Sequence, residues 1–203
     1  TSVLWKRLKT RLADRLRRTV EASSRRSEEQ QFQELLNSLK SLGRGVHIHR
    51  SCALTGGEHA MIGDNVHIGS NAFIRAEGGL EIGDNTHISR NLVLYTINHR
   101  TDGACLPYDD EYVPRAVRIG RNVWIGMNVC ITPGTSIGDG SIIGMGTVVS
   151  GDVPPLAVYV GAQGRVVGYR DKQHYLQCDS ALRYGGIDGI PLSRGQGDAG
   201  ARM

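Results

Sequence analysis

The chain has 203 residues, enough for one domain with a sizeable core plus appended structure. Aromatics make up only 5% while glycines number 27, which argues against a core of interlocking rings and for a repetitive, turn-rich architecture. The formal net charge of +4 is unevenly placed: Thr1 to Arg26 holds nine Lys/Arg against Asp14 and Glu21, so that segment carries +7 and the rest −3. The pI of about 9.0 therefore describes a basic arm, and no specific nucleic-acid-binding function is expected.

In that arm Leu4, Leu8, Leu12, Leu16 and Val20 form an i, i+4 stripe, which predicts an amphipathic helix. Ser27 with Gln30 reads as a capping box for a second helix carrying Phe32, Leu35, Leu36, Leu39 and Leu42. Residues 1–45 are thus expected to be a basic helical segment that covers the open end of the domain beginning at residue 46. Its charged face suits solvent in the commoner case, or an anionic membrane surface. No apolar cluster approaches the ~20 residues of a membrane span, and Val3-Leu4-Trp5 is no signal-peptide core. The expected location is cytoplasmic, at most peripheral at the inner face of the membrane. Cys52, Cys105, Cys130 and Cys178 are widely spaced with no C-x-x-C pair, which fits reduced thiols better than a zinc site or a disulfide framework.

From Ile48 onward an aliphatic residue recurs every six positions, with a small or β-branched residue four places after each. The cleanest run is Ile119, Ile125, Ile131, Ile137, Ile143 and Val149. A period of six fits neither helix nor simple strand and points to a solenoid. Three positions after each aliphatic stands Asn65, Asn71, Asn85, Asn91, Asn122, Asn128, Gly134, Gly140 or Gly146. Asn and Gly tolerate positive φ most readily, so each hexad should hold a short extended piece and a left-handed corner, three of which close a triangular coil.

Later coils take 18 residues and earlier ones 20, because Leu54 to Ile62 and Ile74 to Ile82 are steps of eight. The third such step, Leu94 to Ile119, is 25 residues, so a loop over 95–118 enlarges a corner that already bulges. Long loops on rigid solenoids are where function usually sits. Past the coils, Tyr169 to Tyr184 is expected to be helical and the Gly-rich remainder a flexible tail.

"IGDNVHIGSNAFI" and "VRIGRNVWIGMNVCITPGTSIGDGSIIGMGTVVSGDVPPLAVYVG" resemble the hexapeptide-repeat acyltransferases, in particular the galactoside, maltose and polysaccharide O-acetyltransferase branch. The resemblance covers about Val46 to Val167. It implies an all-β solenoid, a left-handed parallel β-helix over 46–167 with an extruded active-site loop, N-terminal helices, and a short C-terminal helix and tail over 168–203. It also implies acetyl-CoA as co-substrate, a sugar or glycan acceptor, and a homotrimer with active sites between subunits.

The same resemblance assigns the catalytic base to His99 in "TINHRTDG", with Asn98 beside it on the acceptor side. A neutral imidazole suits removal of an alcohol proton during attack on a thioester. Asp102 and Glu77 are candidates to orient the ring, and Glu77 also stands where an acceptor contact is expected. Trp124 aligns with a residue beside donor and acceptor. Gly126, Met127, Gly144, Met145 and Ser150 match positions along the pantetheine arm, and Arg165, with Arg170, is expected to meet phosphate.

His47, His67 and His87 step by 20 and invite comparison with the γ-class carbonic anhydrases. A same-column ladder at ~4.8 Å projects its rings in parallel and does not converge them on a metal, so no metal is expected. The competing functions are acetyl transfer to a non-sugar acceptor, such as an antibiotic or serine, and a non-catalytic β-helical scaffold.

Overall fold

The computed structural model describes residues 17, 19, 27, 29–99, 110–161, 165–169 and 171–183. Two compact units divide the chain, Thr1–Asn37 and Ser38–Met203. In the first unit, residues 17, 19, 27 and 29–37 are helical. Ser27 is itself helical and so does not serve as the N-cap expected of it, since a cap needs a non-helical backbone. The stripe from Leu4 to Val20 lies outside the described residues.

The helix does not reach Leu42. Ser41–Leu42 is already a strand, paired in parallel with Met61 and Ile62. The reason lies in the residues just beyond it: Gly45 adopts φ 66°, and Arg44 donates its backbone N–H and its guanidinium to Asp64 at 2.8 and 3.0 Å. That is a solenoid corner, so coiling starts inside the segment expected to be helical.

Three parallel sheets form the faces of a triangular prism of about five turns, a left-handed parallel β-helix. Sheet 1 contains Ala60–Ile62, Leu80–Ile82, Val117–Ile119 and Ser136–Ile137; sheet 2 contains His47–Ile48, His67–Ile68, His87–Ile88, Trp124–Ile125 and Ile142–Ile143. Sheet 3 contains Ala53–Thr55, Phe73–Arg75, Val93–Tyr95, Cys130–Ile131 and Val148–Val149. The hexad aliphatics Ile68, Ile88, Ile125 and Ile143 stack in register inside the prism, each at most 2% exposed. Buried polar side chains among them close on backbone: Thr86 donates to Gly120 O at 2.8 Å and Ser141 to Gly138 O at 2.8 Å. Such bonds remove the penalty of burying a hydroxyl.

All nine Asn and Gly residues at the expected corner position have φ between 54° and 83°. The corner asparagines also form ladders, with Asn65 donating to Asn85 at 3.0 Å and Asn91 to Asn128 at 2.8 Å. At the enlarged 3–1 corner the left-handed residue is instead Gly79, at φ 102°, two places after Glu77. This frees Glu77 from the corner conformation that its place in the repeat would demand.

The long insertion leaves the 3–1 corner as an antiparallel two-stranded ribbon, Ile97–His99 against Tyr112–Pro114. At the far end of the prism, Ala157–Val160 is the last parallel strand of sheet 2. The chain then reverses after Gly161, at φ 104°, and Arg165–Tyr169 returns antiparallel to it. Tyr169 is therefore in a strand, not a helix. The expected helix begins at Lys172, where Asp171 accepts the His174 N–H at 2.6 Å, and ends at Ser180. The tail from residue 184 lies outside the described residues. No described helix is long and apolar enough to cross a membrane.

Candidate active site

The ribbon carries His99 to its outer described end, opposite Tyr112, with the two rings 4.3 Å apart and inclined by 37°. The His99 N–H donates to Asn98 Oδ1 at 3.0 Å, so Asn98 fixes the backbone at the histidine. Behind Tyr112 stands Arg75, its guanidinium 5.4 Å from the Tyr112 ring centre and 5.9 Å from that of Tyr95. Arg75 is held by Glu77, whose Oε1 accepts from Arg75 Nη2 at 3.0 Å, from Arg75 Nε at 3.1 Å and from Thr55 at 2.8 Å. Glu77 Oε2 is buried without a hydrogen-bond partner among the described residues.

Burial by itself raises the Glu77 carboxyl pKa. Its own backbone N–H, Arg75 and Thr55 outweigh that and hold it below the ordinary carboxylate range. Arg75, hydrogen-bonded to Glu77, is correspondingly raised. A relay of contacts thus runs from Thr55 and Glu77 through Arg75 and Tyr112 to His99. Asp102 lies outside the described residues.

A second group of expected residues stands elsewhere on the prism. Gly126 and Met127 occupy the 2–3 corner, and Gly144 and Met145 stack on them, with Gly146 donating its N–H to Met127 O at 2.9 Å. A Cβ on Gly126 would come within 2.7 Å of Met145 N, and one on Gly144 within 2.6 Å of the Val160 side chain, so both glycines are required by coil stacking. Outside them the surface is clear: a Cβ at Gly146 would meet nothing within 4 Å, and Met145 is 70% exposed. Ser150 is exposed but sits past sheet 3, at the 3–1 corner, one face away from Met127 and Met145. Arg165 lies in the return strand opposite Val160, with its side chain outside what is described; Arg170 lies outside the described residues.

Trp124 projects from sheet 2 with 57% of its surface exposed, in register with His87. His87, His67 and His47 continue that column. The first two rings stack as expected, 4.9 Å apart and 7° from parallel, but His67 and His87 meet edge to face, 5.6 Å apart at 82°. The parallel ladder thus ends at the rung that adjoins the Trp124 indole. Among the described residues no group of three or more His, Cys, Asp or Glu is placed to hold a metal ion.

Cys52, Cys130 and Cys178 are free thiols, and burial pushes the Cys52 thiol up to about 11, far from reactivity. Sequence reasoning missed Arg75 and Tyr112 as parts of the cluster around His99. The available signal was an arginine two places before Glu77, where sheet alternation puts both outside the coil; nothing in the loop's sequence marks Tyr112 apart from Tyr95 and Tyr108.

The prism thus carries a half-buried imidazole on one enlarged corner and a bare glycine-lined corner beside a projecting tryptophan. The family model for bacterial transferase hexapeptide repeats (six repeats) matches residues 116–151, and that for the hexapeptide repeat of succinyl-transferase matches 60–96. Among solved structures, a maltose O-acetyltransferase from Clostridium difficile 630 is 33% identical, with 68% of this chain and 73% of that one covered and a TM-score of 0.62. A hexapeptide-repeat acetyltransferase from Vibrio cholerae, complexed with acetyl coenzyme A, is 26% identical over 71% of this chain and 79% of that one, at a TM-score of 0.64. An N-acyltransferase from Bacillus cereus, at 22% identity, 74% and 94% coverage and a TM-score of 0.61, shares the fold. A search among curated protein sequences gives no match. The chain belongs to the hexapeptide-repeat acyltransferases. It is an acyltransferase of that family.

Proposed function

We propose that this protein transfers an acetyl group from acetyl-CoA to a hydroxyl of a sugar or polysaccharide precursor, with His99 as general base. The observation that carries this is the ribbon: the chain enlarges one corner of an otherwise regular coil and displays an imidazole at its end, braced by Tyr112. The thioester supplies an activated acetyl group. His99 takes the hydroxyl proton as the oxygen attacks the carbonyl carbon; the C–S bond then breaks, and the imidazolium returns the proton to the departing thiolate. Backbone N–H groups of a coil are the economical donors to the oxyanion. Glu77 serves the acceptor side by holding Arg75 beside the ribbon.

The donor's pantetheine arm fits the 2–3 corner. Above Gly146 nothing obstructs it, and the exposed Met127 and Met145 offer soft, adaptable apolar contact. Gly126 and Gly144 keep that corner narrow, Ser150 meets the donor from the 3–1 corner, and Arg165 with Arg170 answers its phosphates.

One chain alone keeps His99 and the donor corner on opposite edges of sheet 3. The outward column of that sheet, Ala53, Phe73, Val93, Cys130 and Val148, is apolar, with Phe73 42% exposed. An exposed apolar strip of this kind marks an association surface. If three copies bury sheet 3 around a threefold axis, the 2–3 corner of each faces the 3–1 corner of the next. Met127, Met145 and Trp124 of one subunit then stand across a cleft from His99 and Ser150 of another, which supports the homotrimer with shared sites. A cytoplasmic setting, where acetyl-CoA is made, completes the reading, with the basic N-terminal segment available to an anionic membrane surface.

The test is acetyl-CoA consumption by wild type and His99→Ala against free sugars, nucleotide sugars and oligosaccharides, with coenzyme binding followed in parallel. Acceptor-dependent turnover that collapses in the variant, with the coenzyme still bound, is expected. Failure of both proteins to bind the coenzyme would hand the case to the scaffold reading.

A further inference from the structure

One built cavity lies away from the ribbon. It is a trough of about 830 Å³ across the outer face of sheet 2, walled on one side by the helix Lys172–Ser180. The wall is anchored: Asn122 donates to the Tyr175 hydroxyl at 2.7 Å, and Arg121 reaches Asp179 at 3.2 Å. Gly140 is part of this fit, since a Cβ there would lie 2.7 Å from the Tyr175 ring. The trough is therefore built by specific contacts, and its volume is near the top of the range of about 300–1,000 Å³ usual for small-molecule sites.

Its floor is a strip of ring faces and edges, His67, His87 and Trp124, on three adjacent strands. Strands lie ~4.8 Å apart, about the width of a sugar ring, and flat rings present apolar faces to the C–H face of a pyranose. The two rims are polar: Asn85 and Asn122 at the 1–2 corner, Ser70 and Ser89 at the 2–3 corner. Amides and hydroxyls there are placed to meet sugar hydroxyls.

The charge on the trough selects further. Arg90 and Arg183 line it and make no ion pair among the described residues. Asp179, the one carboxylate in the lining among the described residues, is engaged by Arg121 and by Asn122 at 3.3 Å. Two guanidinium groups without a carboxylate partner favour a carboxylate or phosphate on the occupant. The trough also opens toward the donor corner: the Ser89-Arg90-Asn91 turn stacks on the Gly126-Met127-Asn128 turn, with Asn128 N–H donating to Arg90 O at 3.1 Å.

We infer that this trough is the acceptor subsite, and that the acceptor is a sugar compound bearing an anionic group, lying over the His67–His87–Trp124 floor with its charge on Arg90 and Arg183. The inference rests on the acetyl-transfer reading and names the substrate class of that site. An acidic sugar residue and the diphosphate of a nucleotide-activated sugar present the same chemistry to the arginines.

The experiment is calorimetric titration of the full chain, without donor, with three probes: maltotriose, a hexuronic-acid trisaccharide and UDP-glucose. At least one anionic probe should bind tenfold or more tightly than maltotriose, and the preference should vanish in Arg90→Ala/Arg183→Ala. His87→Ala should weaken the preferred anionic probe severalfold. Tighter binding of the uronate than of UDP-glucose assigns an acidic glycan, and the reverse an activated sugar. Equal or tighter binding of maltotriose, no binding of any probe, or an anionic preference that survives the double variant would each overturn the inference. Coenzyme binding, measured on the same samples, keeps the two readings apart. Its retention with an indifferent trough sinks only the acceptor assignment, and its absence sinks acetyl transfer. Thermal melting of each variant confirms that the sheet and helix remain folded.

Discussion

The 2–3 corner and the 3–1 corner of this prism are built from the same repeat and do opposite things. At the 2–3 corner every step keeps its six residues, the coils stack so closely that a Cβ on Gly126 or Gly144 would come within 2.7 Å of a neighbouring coil, and around those two glycines the surface that reaches solvent is backbone and two methionines. At the 3–1 corner the repeat breaks in successive coils. The extra residues bring Glu77, Arg75 and Tyr112 into contact and lift His99 on a ribbon. The regular 2–3 corner offers a track, while the enlarged 3–1 corner holds a charged, hydrogen-bonded cluster next to a histidine. Solenoid enzymes of this kind therefore place chemistry where periodicity fails and binding of a long flexible arm where it holds.

That contrast is open to direct attack. Replacing His99 with Ala should cost the largest factor, about 10²–10⁴ in turnover, the usual contribution of a general base, with coenzyme affinity unchanged in equilibrium binding. Next in size, Gly126→Ala forces a Cβ against the backbone of the next coil, and thermal or denaturant melting should show about 1–3 kcal/mol of destabilisation. Tyr112→Ala removes the ring that braces His99 and should lower kcat about two- to tenfold, the equivalent of an aromatic contact of roughly 0.5–1.5 kcal/mol, with the KM for donor retained. Tyr112→Phe keeps the ring and should keep most of the rate.

The smallest effect is expected at Glu77. Its carboxyl is held below the ordinary range in the folded protein, so its stabilisation is present above the unfolded carboxylate pKa and disappears as pH falls through the folded value. Glu77→Gln should melt earlier than wild type near neutral pH, by an amount equivalent to about 1 kcal/mol, and the difference should close in acid. A difference that persists at low pH would show that charge is not what holds Arg75.

The hexad spacing made the prism legible, down to the nine corner residues with positive φ, because one steric requirement recurs at fixed intervals. It also located the enlarged corner, within which the family resemblance, not the spacing, singled out His99. It did not yield Arg75, Tyr112 or the helix wall, since those contacts join residues whose separation is set by the loop and by the return strand, not by the repeat. The same limit explains the two misplaced boundaries. Leu42 has the phase of a helix stripe and also of a coil, and the left-handed turn at Gly45 decides for the coil. Tyr169 comes after a reversal at Gly161, outside any hexad. Family resemblance supplied the donor and the expectation of a trimer, neither of which a single chain's spacing encodes.

The most direct test of the account is complementation between its two corners. His99→Ala and Trp124→Ala, each expected to be nearly inactive alone, should regain acetyl transfer when co-expressed, because a mixed oligomer contains clefts that pair an intact His99 from one subunit with an intact Trp124 from its neighbour. A mixed oligomer that forms but stays as inactive as its parents would contradict the claim that the site is shared between the two corners.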